Sequence, residues 1–223
     1  MNNSGFLAWL FLFSFFLPVG VWGQYVKRET IGSTTYAVIY ADGLAESAVW
    51  PIGMKLTRQS ADGKVTVIRH QVDKGNGGNL SVNDRVAARF IIAPTDYSNT
   101  SIRWEFASGV EVSGNENLDA DFTNLADRGC RRYSFGGRRW RVPTQRELQL
   151  MWVLREGIRR AYSGVAGAVD MVSSTAGSGE NYWSATEKSA TEAWVFDFSS
   201  VYPQSFTQLK SSGGTRVRCV SDY

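Results

Sequence analysis

The sequence predicts an α+β protein in two parts: a small N-terminal β-sandwich, then a domain that joins one main helix to aromatic-rich strands. Three observations lead there. Residues 24–111 form a series of short alternating or β-branched segments with no long helical periodicity. One strongly started helix follows Pro143. Aromatic-rich alternating segments return between residues 182 and 220.

The chain opens on an apolar run, residues 6–17, followed by Pro18 and then Val21-Trp22-Gly23 ahead of Gln24. The run is shorter than the roughly 20 residues that span a bilayer as a helix, and tolerable residues stand at the expected cleavage positions. Residues 1–23 therefore read as a signal peptide, and the rest as exported. No Lys or Arg precedes the run, so the chain's own amino group supplies the positive end; the alternative reading is an uncleaved anchor. No Cys stands near the cleavage position, which argues against a lipid anchor.

About 200 residues remain, enough for one large or two small domains. The predicted strands are residues 36–40, 54–58, 65–69, 86–92 and 102–106. Ala61-Asp62-Gly63 reads as a hairpin turn. The Gly75-Asn76-Gly77-Gly78-Asn79 loop lacks the strand–loop–helix context and Lys-Ser/Thr ending of a phosphate cradle, so it reads as a connection. Ser108-Gly109 and Ser113-Gly114-Asn115 have linker composition. The first domain accordingly spans residues 24–112 and the second residues 115–223. Residues 118–126 suggest a short helix with Asp119 and Asp121 near its start.

The second domain is organised around Trp140-Arg141-Val142-Pro143-Thr144. Pro143 biases Val142 toward extended backbone. Thr144 and Glu147 form a capping box, each satisfying a free amide at the helix start. Leu148, Met151, Trp152, Leu154, Ile158 and Tyr162 continue an apolar side, predicting one helix to about Ala161. Residues 164–179, rich in Gly, Ser and Ala, read as a long surface loop. Strands are predicted at residues 182–187, 193–198 and 215–220.

Formal net charge is +3 and the charges are scattered, so no nucleic-acid footprint follows. Arg131, Arg132, Arg138, Arg139 and Arg141 do cluster, with Tyr133, Phe135 and Trp140 between them. The cluster reads either as a solvated rim around a turn or as a contact for a polyanion or acidic glycan. Cys130 and Cys219 are the chain's two cysteines, and in an exported protein the default is an oxidised pair.

The separated pieces Cys130, Trp140-Arg141-Val142-Pro143-Thr144 with Glu147-Leu148, Tyr182-Trp183-Ser184-Ala185-Thr186-Glu187, Ala193-Trp194 with Asp197-Phe198, and Arg216-Val217-Arg218-Cys219-Val220 resemble the Lcl C-terminal domain family over about residues 115–223. That family comprises C-type-lectin-like domains of bacterial surface proteins, including fimbrial tip-like proteins of Bacteroidetes. The resemblance implies one main helix packed on a twisted antiparallel sheet and a disulfide from the start of the domain to its last strand, with Trp140, Trp183 and Trp194 packing the sheet. Glu147 is then a cap and Glu187 a strand-end hydrogen-bonding residue. The N-terminal half merely looks like the β-sandwich modules of fimbrillin-type proteins.

Departures from better-known relatives narrow the function. Tyr202-Pro203-Gln204 is the nearest approach to a lectin calcium loop, and it brings no acidic partner, whereas calcium takes about six to eight oxygen ligands. No metal or cofactor is therefore expected. The related formylglycine-generating enzymes depend on reactive cysteines, and both cysteines here are assigned to the bridge. His70 is the single histidine and lies in the other region, so no Ser-His-Asp grouping forms. Glu180 and Asp197 could converge, but nothing singles them out as a catalytic pair. The expectation is a non-catalytic, exported surface or fimbria-associated adhesin-like protein. Its partner would be a host or bacterial surface glycan or protein, or fimbrial subunits, with no nucleic acid and no stable membrane span after signal cleavage. Candidate ligand contacts are the exposed members among Arg138, Arg139, Glu180, Asn181, Tyr182, Tyr202 and Gln204. The alternative is a structural minor pilin or tip subunit assembled by strand addition through the N-terminal domain, with Lys27-Arg28 a trimming site.

Overall fold

A computed structural model describes residues 24–41, 56–59, 65–68, 86, 89–98, 101–109, 126–171, 181–189, 191–199 and 203–223. The fold mixes antiparallel sheets with a few short helices. The predicted turn at Ala61-Asp62-Gly63, the Gly75 loop and the helix at 118–126 lie outside the described residues, Ala126 excepted.

Strands β1 (Tyr25–Ile31), β2 (Thr34–Tyr40), β5 (Arg89–Ile92) and β9 (Val220–Asp222) form a four-stranded antiparallel sheet in the order β1-β2-β5-β9. A separate antiparallel pair joins β3 (Leu56–Gln59) to β4 (Val65–Ile68). The third sheet is β6 (Asn181–Glu187), β7 (Glu192–Asp197) and β8 (Gln204–Leu209), in that order. The four-stranded sheet thus takes strands from both sides of the division placed at residues 112–115, because β5 pairs with the last strand of the chain.

Alternation sorts the side chains into two cores. From β2, Ala37 and Ile39 enter one cluster while Tyr36 and Val38 enter the other. The neighbour β5 follows: Phe90 and Ile92 join the first, Ile91 the second. A strand covered on both faces reads as a continuous apolar run, which is how residues 36–40 and 90–92 appear in the sequence. The third sheet does the same, since Tyr182 and Phe196 serve the first core and Trp183, Ala193 and Val195 the second.

The main helix is two helices, not one. α2 (Gln145–Val153) and α3 (Arg155–Ala161) meet at Leu154, whose backbone leaves helical geometry at φ −94° and ψ 10°. The break changes partners: α2 packs on β6 and β7, α3 on β1 and β2. Gly157 permits the close approach, since a Cβ there would lie 3.0 Å from Val26 side-chain atoms.

Residues 102–106, expected as a strand, also differ. Ile102 makes one antiparallel bridge to Thr215, and the chain then turns into α1 (Trp104–Ser108). Trp104 and Ala107, one helical turn apart, are fully buried, and the Trp104 indole donates to the Ser184 carbonyl at 2.7 Å. That burial outweighs the period-two pattern. The predicted last strand, residues 215–220, is an extended run with bridges at Thr215, Arg216 and Val220, and regular pairing is confined to β9. The polar β8 carried too weak an apolar alternation to be foreseen.

Candidate functional site

Cys130 and Cys219 are joined in a disulfide within the second core, with Trp104, Trp140 and Trp183 in the same cluster. Cys130 sits in a 3-10 turn, Gly129–Arg132, and a second such turn, Phe135–Gly137, follows. Gly136 and Gly137 take φ of 66° and 65°, a left-handed backbone that turns the chain sharply and projects the following arginines.

Those arginines rim a cleft of about 590 Å³, bounded by Arg131, Arg138, Arg139 and Arg141 with Ser221 and Asp222 opposite. Arg141 is fully committed. Its guanidinium donates to both oxygens of buried Glu147, at 2.7 and 2.8 Å, and to Asp222 Oδ1 at 2.6 Å. Burial, the largest single influence, would lower its pKa; the Glu147 and Asp222 carboxylates together outweigh it, and the net direction is upward. Glu147 also completes the Thr144 capping box, accepting from the Thr144 amide at 2.8 Å. Its residue role as a cap is as predicted, with an ion pair added.

Arg138 is partly committed, donating to Ser221 Oγ at 3.3 Å and the Asp222 carbonyl at 3.0 Å while lying over the Tyr36 ring. Arg131, Arg132 and Arg139 are exposed, and their side chains make no hydrogen bond or ion pair among the described residues.

The other predicted contacts separate. Asn181, Asp197 and Gln204 stand opposite one another in a single row across the third sheet. Asp197 lies between two of the predicted contacts. Burial pushes its carboxyl above the usual range, partly offset by the Ser199 amide donating at 2.7 Å. Tyr182 is corrected to a core residue. It is fully buried against Phe198 and its hydroxyl donates to Asp96 at 3.3 Å, so it has no surface to present. Glu180 and Tyr202 lie outside the described residues.

Two buried ion pairs were not foreseen. Arg218 donates to Asp96 at 2.7 Å and to the carbonyls of Ala93 and Val169, tying β5's exit to the loop after α3. Burial would lower the Arg218 pKa, and Asp96 together with Tyr182 reverses the direction. Lys210 pairs with Glu187 at 2.7 Å, with the ammonium 4.7 Å from the centre of the Trp104 ring. Glu187 is thus an ion-pair partner at its strand end. Both pairings are long-range in sequence, which no local pattern reveals. Trp140 and Trp183 pack in the core as expected; Trp194 is only half-buried.

A second hollow of about 540 Å³ lies beside α3, with Met151, Ile158, Tyr162 and Phe198 among its apolar lining and Arg155 and Arg159 among its polar lining. Among the described residues no three His, Cys, Asp or Glu side chains gather as a metal site. No helix of the described residues is long and apolar enough to cross a membrane.

The geometry defines a disulfide-closed, tryptophan-packed domain of antiparallel sheet and short helices. The family model of the Lcl C-terminal domain matches residues 95–221, more than half of the chain, and the protein belongs to that family. The match begins ahead of residue 115, at the segment holding Asp96, Ile102 and Trp104, which the structure packs against the C-terminal region. No curated protein matches the chain.

Proposed function

We propose that the chain is an exported, non-catalytic surface or fimbria-associated binding protein of adhesin-like character. In this reading residues 1–23 are removed as a signal peptide. The C-terminal region, together with the segment from residue 95 that packs on it, acts as a C-type-lectin-like module, and the ligand is a surface glycan or protein. The observation that carries the reading is the arginine-rimmed cleft. Arg131 and Arg139 stand exposed without a side-chain partner among the described residues, on a turn held by the disulfide and by Arg141. Desolvating such cations without a ligand would be costly, whereas leaving them at the rim favours charge-assisted contact. The test is a glycan and matrix-protein array with purified protein, with calcium and with chelator. Binding that survives chelation and weakens about tenfold or more in Arg139→Ala, at unchanged thermal stability, is the expected result. Strict calcium dependence, or no binding to any surface ligand, overturns it.

A structural pilin role is favoured by a different observation. β1 ends the order β1-β2-β5-β9, with one side of its backbone unpaired among the described residues, whereas Arg141 bridges Val220 at the far end. Lys27 and Arg28 on β1 weigh against that role, because charges on an edge strand oppose pairing with another chain. Co-purification of the protein with filaments, together with an empty array, would select this reading over the first.

A further inference from the structure

The sheet face that carries the second core is uncovered at one end, and a row of aromatic and cationic side chains crosses it there. Tyr25 on β1 stands directly opposite Tyr40 on β2, and Tyr40 opposite Arg89 on β5. Tyr223 follows β9, and its amide donates to the Arg89 carbonyl. The row therefore spans all four strands of the sheet.

Its rings are held in place. Tyr25 and Tyr40 stack with centroids 4.9 Å apart and planes within 2°. The Arg89 guanidinium lies 5.0 Å from the Tyr40 centroid and 6.0 Å from that of Tyr223. Glu29 receives the hydroxyl of Tyr40, and that of Tyr223 at 2.8 Å. Lys27 closes on Glu29 at 3.4 Å and sits over the Tyr40 ring. Yet Tyr25 and Tyr223 are each 51% exposed. Tyr25 has one ring face on Tyr40 and no second ring or cation partner among the described residues.

We infer that this row is a sugar-stacking platform, on which the exposed ring of Tyr25 receives the apolar C–H face of an uncharged pyranose in a glycan chain. An aromatic face is electron-rich, and the C–H bonds on one side of a pyranose present a matching, weakly positive surface. A flat ring already fixed by its neighbours loses little freedom on binding. Glu29 sets a carboxylate in the middle of the patch, bonded to Tyr40 and Tyr223 and paired with Lys27, and so disfavours an anionic ligand there. Lys27, with 60% of its side chain exposed, remains within the same patch to donate to sugar hydroxyls.

The platform is separate from the arginine cleft and stands or falls without it. The test is electrophoresis of the full chain through native gels containing laminarin, mannan or xylan, with a heparin gel as the anionic comparison. Retardation in at least one neutral gel is expected, weakened about tenfold in Tyr25→Ala and kept in Tyr25→Trp, which preserves a ring. Arg139→Ala should leave that retardation unchanged while reducing any binding to heparin. Tyr25 is half exposed at the first position of its strand, so both variants should fold, and a thermal melt checks this. The inference is overturned by migration unaffected by all three neutral polysaccharides, or by retardation equal in Tyr25→Ala and the parent. It is equally overturned if the patch proves to mediate self-association, seen as a concentration-dependent dimer that Tyr25→Ala abolishes without any neutral-glycan binding.

Discussion

Arg141 shows how much one side chain can bind together here. It is the strand-like residue before the helix cap, the ion-pair partner of Glu147 inside, and the anchor of Asp222 near the chain's end. Arg141→Ala would leave the Glu147 carboxylate buried without its counter-ion, and such a loss typically costs about 3 kcal/mol. Urea unfolding should show a lower midpoint with little change in slope. Asp197 offers the opposite case. Burial raises its folded-state pKa, so the native state holds the proton more tightly than the unfolded chain. Its favourable contribution is therefore present at pH below its ordinary range and lost as pH rises through the raised value. Asp197→Asn should melt higher than the parent at neutral pH, and the difference should shrink as pH falls toward the ordinary aspartate range. Equal melting temperatures across the whole pH range would contradict the assignment.

At the scale of elements, the start of α2 was legible because its signal is local. Thr144, Glu147 and the proline ahead lie within five positions of one another, and the capping box forms as read. Thr144→Ala should cost about 1 kcal/mol, measurable by denaturant titration. The break at Leu154 was not legible, because the apolar side continues through it and only the change of packing partner gives it a reason. α1 was misread for a related cause, since five residues with Trp104 and Phe106 two apart fit a strand equally well. Its seating on the cysteine turn depends on Gly129. With φ at +57°, a Cβ there would fall 2.2 Å from the carbonyl oxygens of Phe106 and Ala107. Gly129→Ala should accordingly destabilise by more than about 2 kcal/mol, seen as a lowered melting temperature.

At the scale of the whole molecule, the disulfide and the β5–β9 pairing close the chain from opposite directions. The bridge links residues 89 apart and lies in the core beside three tryptophans. On the chain-entropy model a loop of that length contributes about 4 kcal/mol. Unfolding the oxidised protein and a Cys130→Ala/Cys219→Ala variant side by side should reveal a loss of that order. A difference below about 1 kcal/mol would mean that packing alone holds the closure. The β5–β9 pairing lies just ahead of the family match, which begins at residue 95. The segment leaving β5 carries Asp96, which neutralises buried Arg218, so the C-terminal region is incomplete without it.

By itself the sequence determined whatever is written in short-range chemistry. That covers the cap before α2, the apolar run of β2, the aromatic-rich segments of β6 and β7, and the pairing expected of two cysteines. Only the tertiary structure decided that Tyr182 faces inward, that Asn181 and Gln204 flank Asp197, and that Tyr25, Tyr40, Arg89 and Tyr223 share one row. Register across a sheet brings together residues far apart along the chain, and a period of two names the pair of faces without saying which one a neighbour will cover.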